Sequence, residues 1–349
     1  MARSGRRMAV WMVALCLGLV ASACGGDDEQ QPAQEEEEKA QVTIGLVTDI
    51  GGLNDRGFNS LAADGVRRAE KELGVKARIL ESKSDSDYIP NLSTLAEEGV
   101  DLSISVGFLM GDATRQAAEE FPETNYAIID ASYEEKDRLP NLQGYLFKEQ
   151  ESGYLVGYMA GLVTEERGER TNAEQVVSTV GGQAIPPVDH FIAGFQKGAK
   201  DANPRVRTLN AYSQDFVDQA KCKEIALDQI AKDSDVVFQV AGGCGLGALD
   251  AAGQEDVWGI GVDKDQASTG PQVLTSALKR VDVAVFEAIQ AVVDGSFKGG
   301  GATALGLKED GVGLGKVSAD APEEIVTEVE AQAEKVAAGS VDIPDQVEK

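Results

Sequence analysis

Val42-Thr43-Ile44-Gly45-Leu46-Val47 runs directly into Thr48-Asp49-Ile50-Gly51-Gly52, and this join decides the fold. A short run rich in β-branched and aliphatic residues makes a buried strand, and two adjacent glycines make a turn. A helical pattern follows over 59–73. The unit then repeats. Strands are expected at 77–80, 102–106 and 126–130, with helices at 88–98 and 112–120 between them. After a helix at 153–164 a second series begins. Its strands fall at 175–180, 207–210, 236–240 and 258–262, and its helices at 188–201, 220–231 and 247–252. Alternation of this kind predicts parallel sheets covered by helices. Two consecutive doubly wound α/β units make two lobes, with a ligand cleft at the carboxyl ends of their strands.

Ahead of this body stands a different kind of sequence. Arg3, Arg6 and Arg7 precede an apolar run over 8–20, and small residues Ala21, Ser22 and Ala23 lead to Cys24. That order reads as an export signal with its cleavage site, too short to span a bilayer at ~20 residues per crossing. The cysteine at the cut resembles the lipobox of bacterial lipoproteins, which predicts lipidation at Cys24; ordinary secretion is the alternative. The acidic stretch that follows, to residue 40, repels itself and has nothing to bury, so it reads as a tether.

The 349-residue chain carries a formal net charge of −27, which argues against nucleic acid, since phosphate binding needs clustered Lys and Arg. Of four cysteines, Cys16 and Cys24 belong to the leader. Cys222 and Cys244 remain in the body, where they either pair as a disulfide in an oxidising compartment or stay as two buried thiols. A single histidine, His190, leaves little room for a histidine metal site or a Ser-His-Asp triad. It reads as a residue at a helix start.

The loops after the strands carry the chemistry. The first holds Asp49, Gly51, Gly52, Asn54, Asp55 and Phe58, another Gly107 and Phe108, and a third Asp130. In the second series come Gly181-Gly182 with Pro186-Pro187, then Gly242-Gly243-Cys244-Gly245, then Asp263. Glycines allow close backbone approach, and carboxylates with aromatics suit a neutral, hydroxyl-rich, aromatic ligand. Neither glycine run fits a dinucleotide fingerprint with its ribose-binding acid, so no cofactor is expected.

Longer motifs resemble one family. The stretches VTDIGGLNDRGFN (47–59), YAIIDA (126–131), FKEQESGYLVGYMAG (147–161), GGQAIPPVDHFIAGFQKGAK (181–200), VFQVAGGCGLGAL (237–249), GIGVDKDQ (259–266) and VLTSALKRVDVAVF (273–286) follow one another in order. They resemble the basic membrane protein family, the PnrA-like and Med-like substrate-binding lipoproteins of nucleoside ABC transporters. The resemblance implies a type I periplasmic-binding-protein fold, two lobes on a multi-strand hinge. It also implies a purine-nucleoside site. Asp49 is then an acid near the nucleoside, and Phe58 and Phe216 the two faces of a base sandwich, with Tyr212 the rival for the second. Asp130 pairs with the base edge, Asp263 grips the ribose hydroxyls and Lys279 stands beside Asp263. Asn54 and Gly243 are neighbours without an assigned role.

The lobes are expected at 41–150, with part of 277–305 returning to the first, and at 151–276. Residues 306–349 form a C-terminal segment whose surface helix packs on the lobes, and 1–23 and 24–40 are signal and lipidated tether. The expected function is capture of a purine nucleoside outside the membrane and delivery to an ABC permease and its ATPase, without catalysis. A sensor for a sugar-like or flavin-like ligand and an extracytoplasmic nucleoside hydrolase are the other readings.

Overall fold

Strand β1 (Thr43–Val47) is buried on both faces, which is why its sequence is a continuous apolar run rather than an alternating one. The computed structural model describes residues 41–166, 168 and 170–348. The leader, Cys24 and the tether lie outside the described residues. After β1 come α1 (Phe58–Leu73), β2 (Lys76–Leu80), α2 (Tyr88–Glu97), β3 (Leu102–Val106), α3 (Gly111–Glu120), β4 (Asn125–Ile129) and β5 (Leu142–Phe147). The second run is α4 (Glu149–Glu166), β6 (Val176–Gly181), α5 (Pro186–Ala202), β7 (Arg207–Tyr212), α6 (Gln219–Ile230), β8 (Ser234–Val240), α7 (Gly242–Gln254), β9 (Trp258–Asp263) and β10 (Val273–Lys279). Then follow α8 (Val281–Val293), β11 (Gly301–Leu305), β12 (Val312–Leu314) and α9 (Glu323–Ala337). Among the described residues no helix is long and apolar enough to cross a membrane.

The first sheet has the order β2-β1-β3-β4-β5-β11, with every neighbouring pair parallel. The second repeats it as β7-β6-β8-β9-β10-β12, and only β12 runs antiparallel, against β10. This is the doubly wound order 2-1-3-4-5 twice over, with ligands favoured at the switch point between the first and third strands. The edge strands β2 and β7 are more exposed than the central ones, as their Lys and Arg residues require. Each lobe has its own core, Ile44, Leu46, Ile104 and Val285 in one, Phe195, Phe238, Trp258 and Ile260 in the other. Each such side chain contributes roughly 1.5–3 kcal/mol on burial.

The fifth strand of each sheet escaped the sequence reading. In both lobes it follows the fourth with only a single turn of 3-10 helix between, at Glu135–Asp137 and Ala267–Thr269, so the strand–helix rhythm breaks there. The chain passes from first sheet to second after β5. It returns after β10 to α8, which packs on α1, and then to β11. It crosses finally to β12 and α9, which lies on α4. The return to the first sheet begins at Val281, because β10 keeps its pairing with β9 through Leu278. Residues 306–349 likewise include a strand of the second sheet, β12.

Helix α4 is apolar all round from Gly153 to Val163, as a helix packed on several sides must be. It lies against α5 through glycines on both partners. A methyl group on Gly157 would stand 2.2 Å from the Phe195 carbonyl, and one on Gly198 would stand 2.1 Å from that of Tyr154. This contact of backbone on backbone brings the first turns of α4 and α5 together, and with them Glu149 and His190.

Candidate ligand cleft

Asp55 shows how the first loop is built. Its carboxylate, almost fully buried, accepts from the backbone N–H groups of Gly57, Asn59 and Ser60 at 3.0, 2.6 and 3.1 Å. It thereby caps α1 and presents Phe58, the first helical residue, to the gap between the lobes. Asp49 ends the strand side of the same loop. Its N–H donates to Asn59 Oδ1 at 3.0 Å, and its carboxylate accepts from the Ile50 N–H at 2.6 Å and from the Tyr88 hydroxyl. Burial lifts the Asp49 carboxyl above its ordinary range, though the Tyr88 and Ile50 bonds pull it back. Gly107, with φ of 122°, lies behind Asp49, and a Cβ there would fall 2.6 Å from the Asp49 carboxylate.

Two further acids occupy equivalent places. Asp130 follows β4 in the first lobe and Asp263 ends β9 in the second, and both hold left-handed backbone, at φ of 70° and 62°. Asp and Asn tolerate this conformation better than most residues, and it turns the side chain off the strand. Asp130 Oδ2 accepts from Lys279 Nζ at 2.6 Å, while Oδ1 is buried without a partner among the described residues. Lys279 closes β10 and reaches the other lobe. Its ammonium sits 2.6 Å from Asp130 and 2.9 Å from Glu149, and near the rings of Phe58, Phe147 and Phe191.

Phe216 forms the facing wall, in the loop after β7. Its ring packs against Gly182, where a Cβ would come within 2.1 Å of it. Its carbonyl accepts from the Cys244 N–H at 3.0 Å. Cys222 and Cys244 form a disulfide that ties α6 to the first turn of α7. The Phe216 loop is therefore pinned from both sides.

Together these elements line a cleft of about 640 Å³, part of it open to solvent. Asp49, Phe58, Asp130, Phe216, Gly243, Asp263 and Lys279 all face it, with Ile50, Val188, Phe191, Val240 and Val262 supplying apolar wall. Across the mouth the lobes touch. Lys264 pairs with Asp64 at 2.9 Å, and Gln266 donates to the Arg56 carbonyl at 3.2 Å.

Three expectations change. Asn54 stands exposed in an outer groove with Arg56, Lys223 and Asp250, and its neighbour Asp55 faces the cleft instead, because capping α1 turns that side chain inward. Lys279 stands near Asp263 but bonds to Asp130 and Glu149. The β9–β10 register sets Leu278 opposite Asp263, so Lys279 extends one residue further. Of the glycine runs, Gly181-Gly182 makes room for the rings of Tyr212 and Phe216 and does not line the cleft. Gly242-Gly243 does line it, as the opening turn of α7 rather than a loop. Tyr212, the rival to Phe216, donates its hydroxyl to Asp189 at 2.6 Å, outside the cleft.

Sequence reasoning also missed Glu149, Tyr88 and Phe191. Glu149 opens an apolar helix inside a family-like motif, and nothing in its neighbours along the chain shows that it meets Lys279. Tyr88 was visible only as the first residue of α2.

Acids dominate the cleft. Burial pushes Asp130 up to about 6 and Asp263 up to about 7, despite the nearby Lys279. Burial alone would depress Lys279, but Asp130, Glu149 and Asp263 hold it above its ordinary range and so keep it charged. The result is a site with two acceptor-rich rims and aromatic walls. It suits a flat, uncharged ligand that donates hydrogen bonds at both ends, and it disfavours phosphates.

Comparison with known proteins now adds to this geometry. The family model described as ABC transporter substrate-binding protein, PnrA-like, matches residues 42–347. A Lactococcus lactis subsp. cremoris protein named as the ABC transporter nucleoside-binding protein BmpA is 31% identical over 332 residues, covering 89% of this chain and 92% of its own. A Pyrococcus horikoshii protein named as an uncharacterised lipoprotein is 34% identical over 357 residues, covering 94% and 86%. A crystal structure of an ABC transporter solute-binding protein from Aeropyrum pernix K1 superposes with a TM-score of 0.78 at 30% identity, covering 88% of this chain and 94% of that one.

Proposed function

This chain belongs to the PnrA-like family of ABC transporter substrate-binding proteins, and from that premise we propose that it is a lipid-anchored extracytoplasmic receptor for purine nucleosides. It captures the nucleoside between two hinged lobes, 41–150 with the later return and 151–276, and hands it to the permease of an ATP-driven importer. The observation that carries the ligand class is the pairing of Asp130 and Asp263 with Phe58 and Phe216. These are two buried acids at equivalent strand ends, with an aromatic ring from each lobe facing the same cleft. Stacking on the rings is worth about 1–3 kcal/mol per ring and base. Asp130 Oδ1, which lacks a partner, accepts from the base edge, and Asp263 accepts from the vicinal ribose hydroxyls. The name of the Lactococcus lactis relative agrees with a nucleoside ligand.

Closure follows from the ligand's own contacts. A riboside touching both lobes binds the closed form better than the open one, and that difference shifts the population. The test is a thermal-shift screen followed by calorimetry. Inosine, guanosine or adenosine at ~100 times Kd stabilises the protein by about 2.7 kcal/mol and raises its melting temperature, whereas ribose alone leaves it unchanged. Phe58→Ala weakens binding about tenfold or more. Purine ribosides without effect on melting or heat would remove the nucleoside reading.

The anchor rests on the Leu19 to Cys24 sequence and agrees with the lipoprotein name of the Pyrococcus horikoshii relative. In the native host, or another bacterium that processes lipoproteins, Cys24→Ser moves the protein from the membrane fraction to the soluble one. Unchanged membrane recovery of that variant would contradict lipidation at Cys24.

A further inference from the structure

Glu149 and His190 lie behind the cleft and do not line it. Glu149 is 2% exposed and uses both carboxylate oxygens: Oε1 meets Lys279 Nζ at 2.9 Å and Oε2 meets His190 Nδ1 at 3.1 Å. Lys279 in turn holds Asp130 Oδ2 at 2.6 Å. The chain of contacts His190–Glu149–Lys279–Asp130 therefore runs from a partly exposed imidazole, through the crossing where α4 begins and β10 ends, to the acid that faces the ligand.

We propose that Glu149 and His190 are positioning residues that clamp Lys279 against Asp130, and that the charge on the one imidazole sets how acidic the medium can become before the ligand is released. The inference rests on Asp130 holding the ligand through an ionised carboxylate, as argued above.

The electrostatics give the direction. Asp130 is faced by Lys279 from β10, Glu149 from α4, His190 from α5 and Asp263 from β9. His190 is faced by Glu149 from α4, Lys279 from β10 and Asp345 from the C-terminal segment. Burial disfavours the imidazolium, but the bond to Glu149 outweighs it and holds His190 above its ordinary range. A protonated His190 favours the ionised form of Asp130, and Glu149 opposes it. The contribution of Asp130 to ligand retention is full where that carboxylate is ionised and is lost as pH falls through its titration. Removing the imidazolium therefore moves that loss to higher pH, and removing the Glu149 charge moves it to lower pH. A purely structural pair would shift both variants the same way.

The experiment is calorimetric titration with inosine from about pH 4.5 to pH 8.5, using protein free of any histidine tag. Wild type, His190→Gln and Glu149→Gln are compared. At about pH 5, H190Q binds roughly threefold more weakly than wild type, and the acid limb of E149Q moves the opposite way by a similar factor. The chain has one histidine, so a single imidazole resonance reports its titration by NMR, and that midpoint falls in E149Q. Should E149Q fail to fold, H190Q alone decides. Inosine binding with coincident or same-direction profiles overturns the inference and leaves the nucleoside reading intact. Absence of binding by any purine riboside at every pH refutes the nucleoside reading, and an unmoved histidine midpoint then refutes the charge pairing on its own.

Discussion

Asp263→Asn raises the melting temperature of the ligand-free protein above pH 7 and at the same time weakens purine riboside binding about 10- to 100-fold. The first effect follows from linkage. An aspartate titrates near 3.9 in an unfolded chain, and burial pushes Asp263 up to about 7 in the folded one. Below about pH 4 the group is protonated in both states and contributes nothing. Between about 4 and 7 the folded state retains a proton that the unfolded state has lost, so stability falls as pH rises. Above 7 the full cost of a buried charge remains, on the order of 2–4 kcal/mol before relaxation. Asn removes that cost and accepts the left-handed backbone at this position. The second effect is loss of charge-assisted acceptance from ribose hydroxyls, about 1.5–3 kcal/mol. Melting curves from pH 4 to pH 8.5 check the first part, with wild type and variant diverging as pH rises. A variant less stable than wild type at pH 8, or one that binds ribosides normally, contradicts the assignment. The cleft is thus held in a form that lowers the stability of the empty protein, and a donor-rich ligand relieves it.

Lys279→Met should cause the largest loss of stability of any substitution in the cleft. The lysine is 1% exposed and is the shared partner of Asp130 and Glu149. Without it two carboxylates face each other in a medium of low dielectric, at a cost of about 3–5 kcal/mol. The melting temperature falls by roughly ten degrees, most steeply at neutral and alkaline pH, where both acids must ionise. Adding Asp130→Asn and Glu149→Gln removes the stranded charges and restores most of the stability, but riboside affinity stays low because the charge on the base-edge acceptor has gone. Differential scanning calorimetry of the single and triple variants separates the two outcomes. A single variant melting with wild type, or a triple variant no better than the single, would mean that the ion cluster does not hold the lobes together here.

How much of this was legible in the sequence depends on whether the cause was local. Asp49 and Phe58 were readable because one capped loop places both, and the loop announces itself by its glycines. Asp130 and Asp263 were readable because each closes a buried strand. The fifth strands were hidden by the missing helix before them. Asn54 was preferred to Asp55 although they are adjacent. Only the bonds from Gly57, Asn59 and Ser60 decide which of the two turns inward. The partner of Lys279 depended on strand register and the role of Glu149 on the close approach of α4 and α5, both set by tertiary packing. The glycines responsible for that approach, Gly153, Gly157 and Gly161 facing Gly194 and Gly198, stand at four-residue spacing in the sequence. That spacing marks the close approach of the two helices but not the side chains it brings together.

The central claim is that a purine riboside lies between Phe58 and Phe216 with Asp130 at its base edge and Asp263 at its ribose. A crystal structure of the protein grown with inosine tests it most directly. The account predicts the purine ring stacked between those two phenyl rings, Asp130 Oδ1 within hydrogen-bond distance of a ring N–H, and both ribose hydroxyls bonded to Asp263. Inosine bound elsewhere, or bound in the cleft with its ribose toward Asp130, contradicts it.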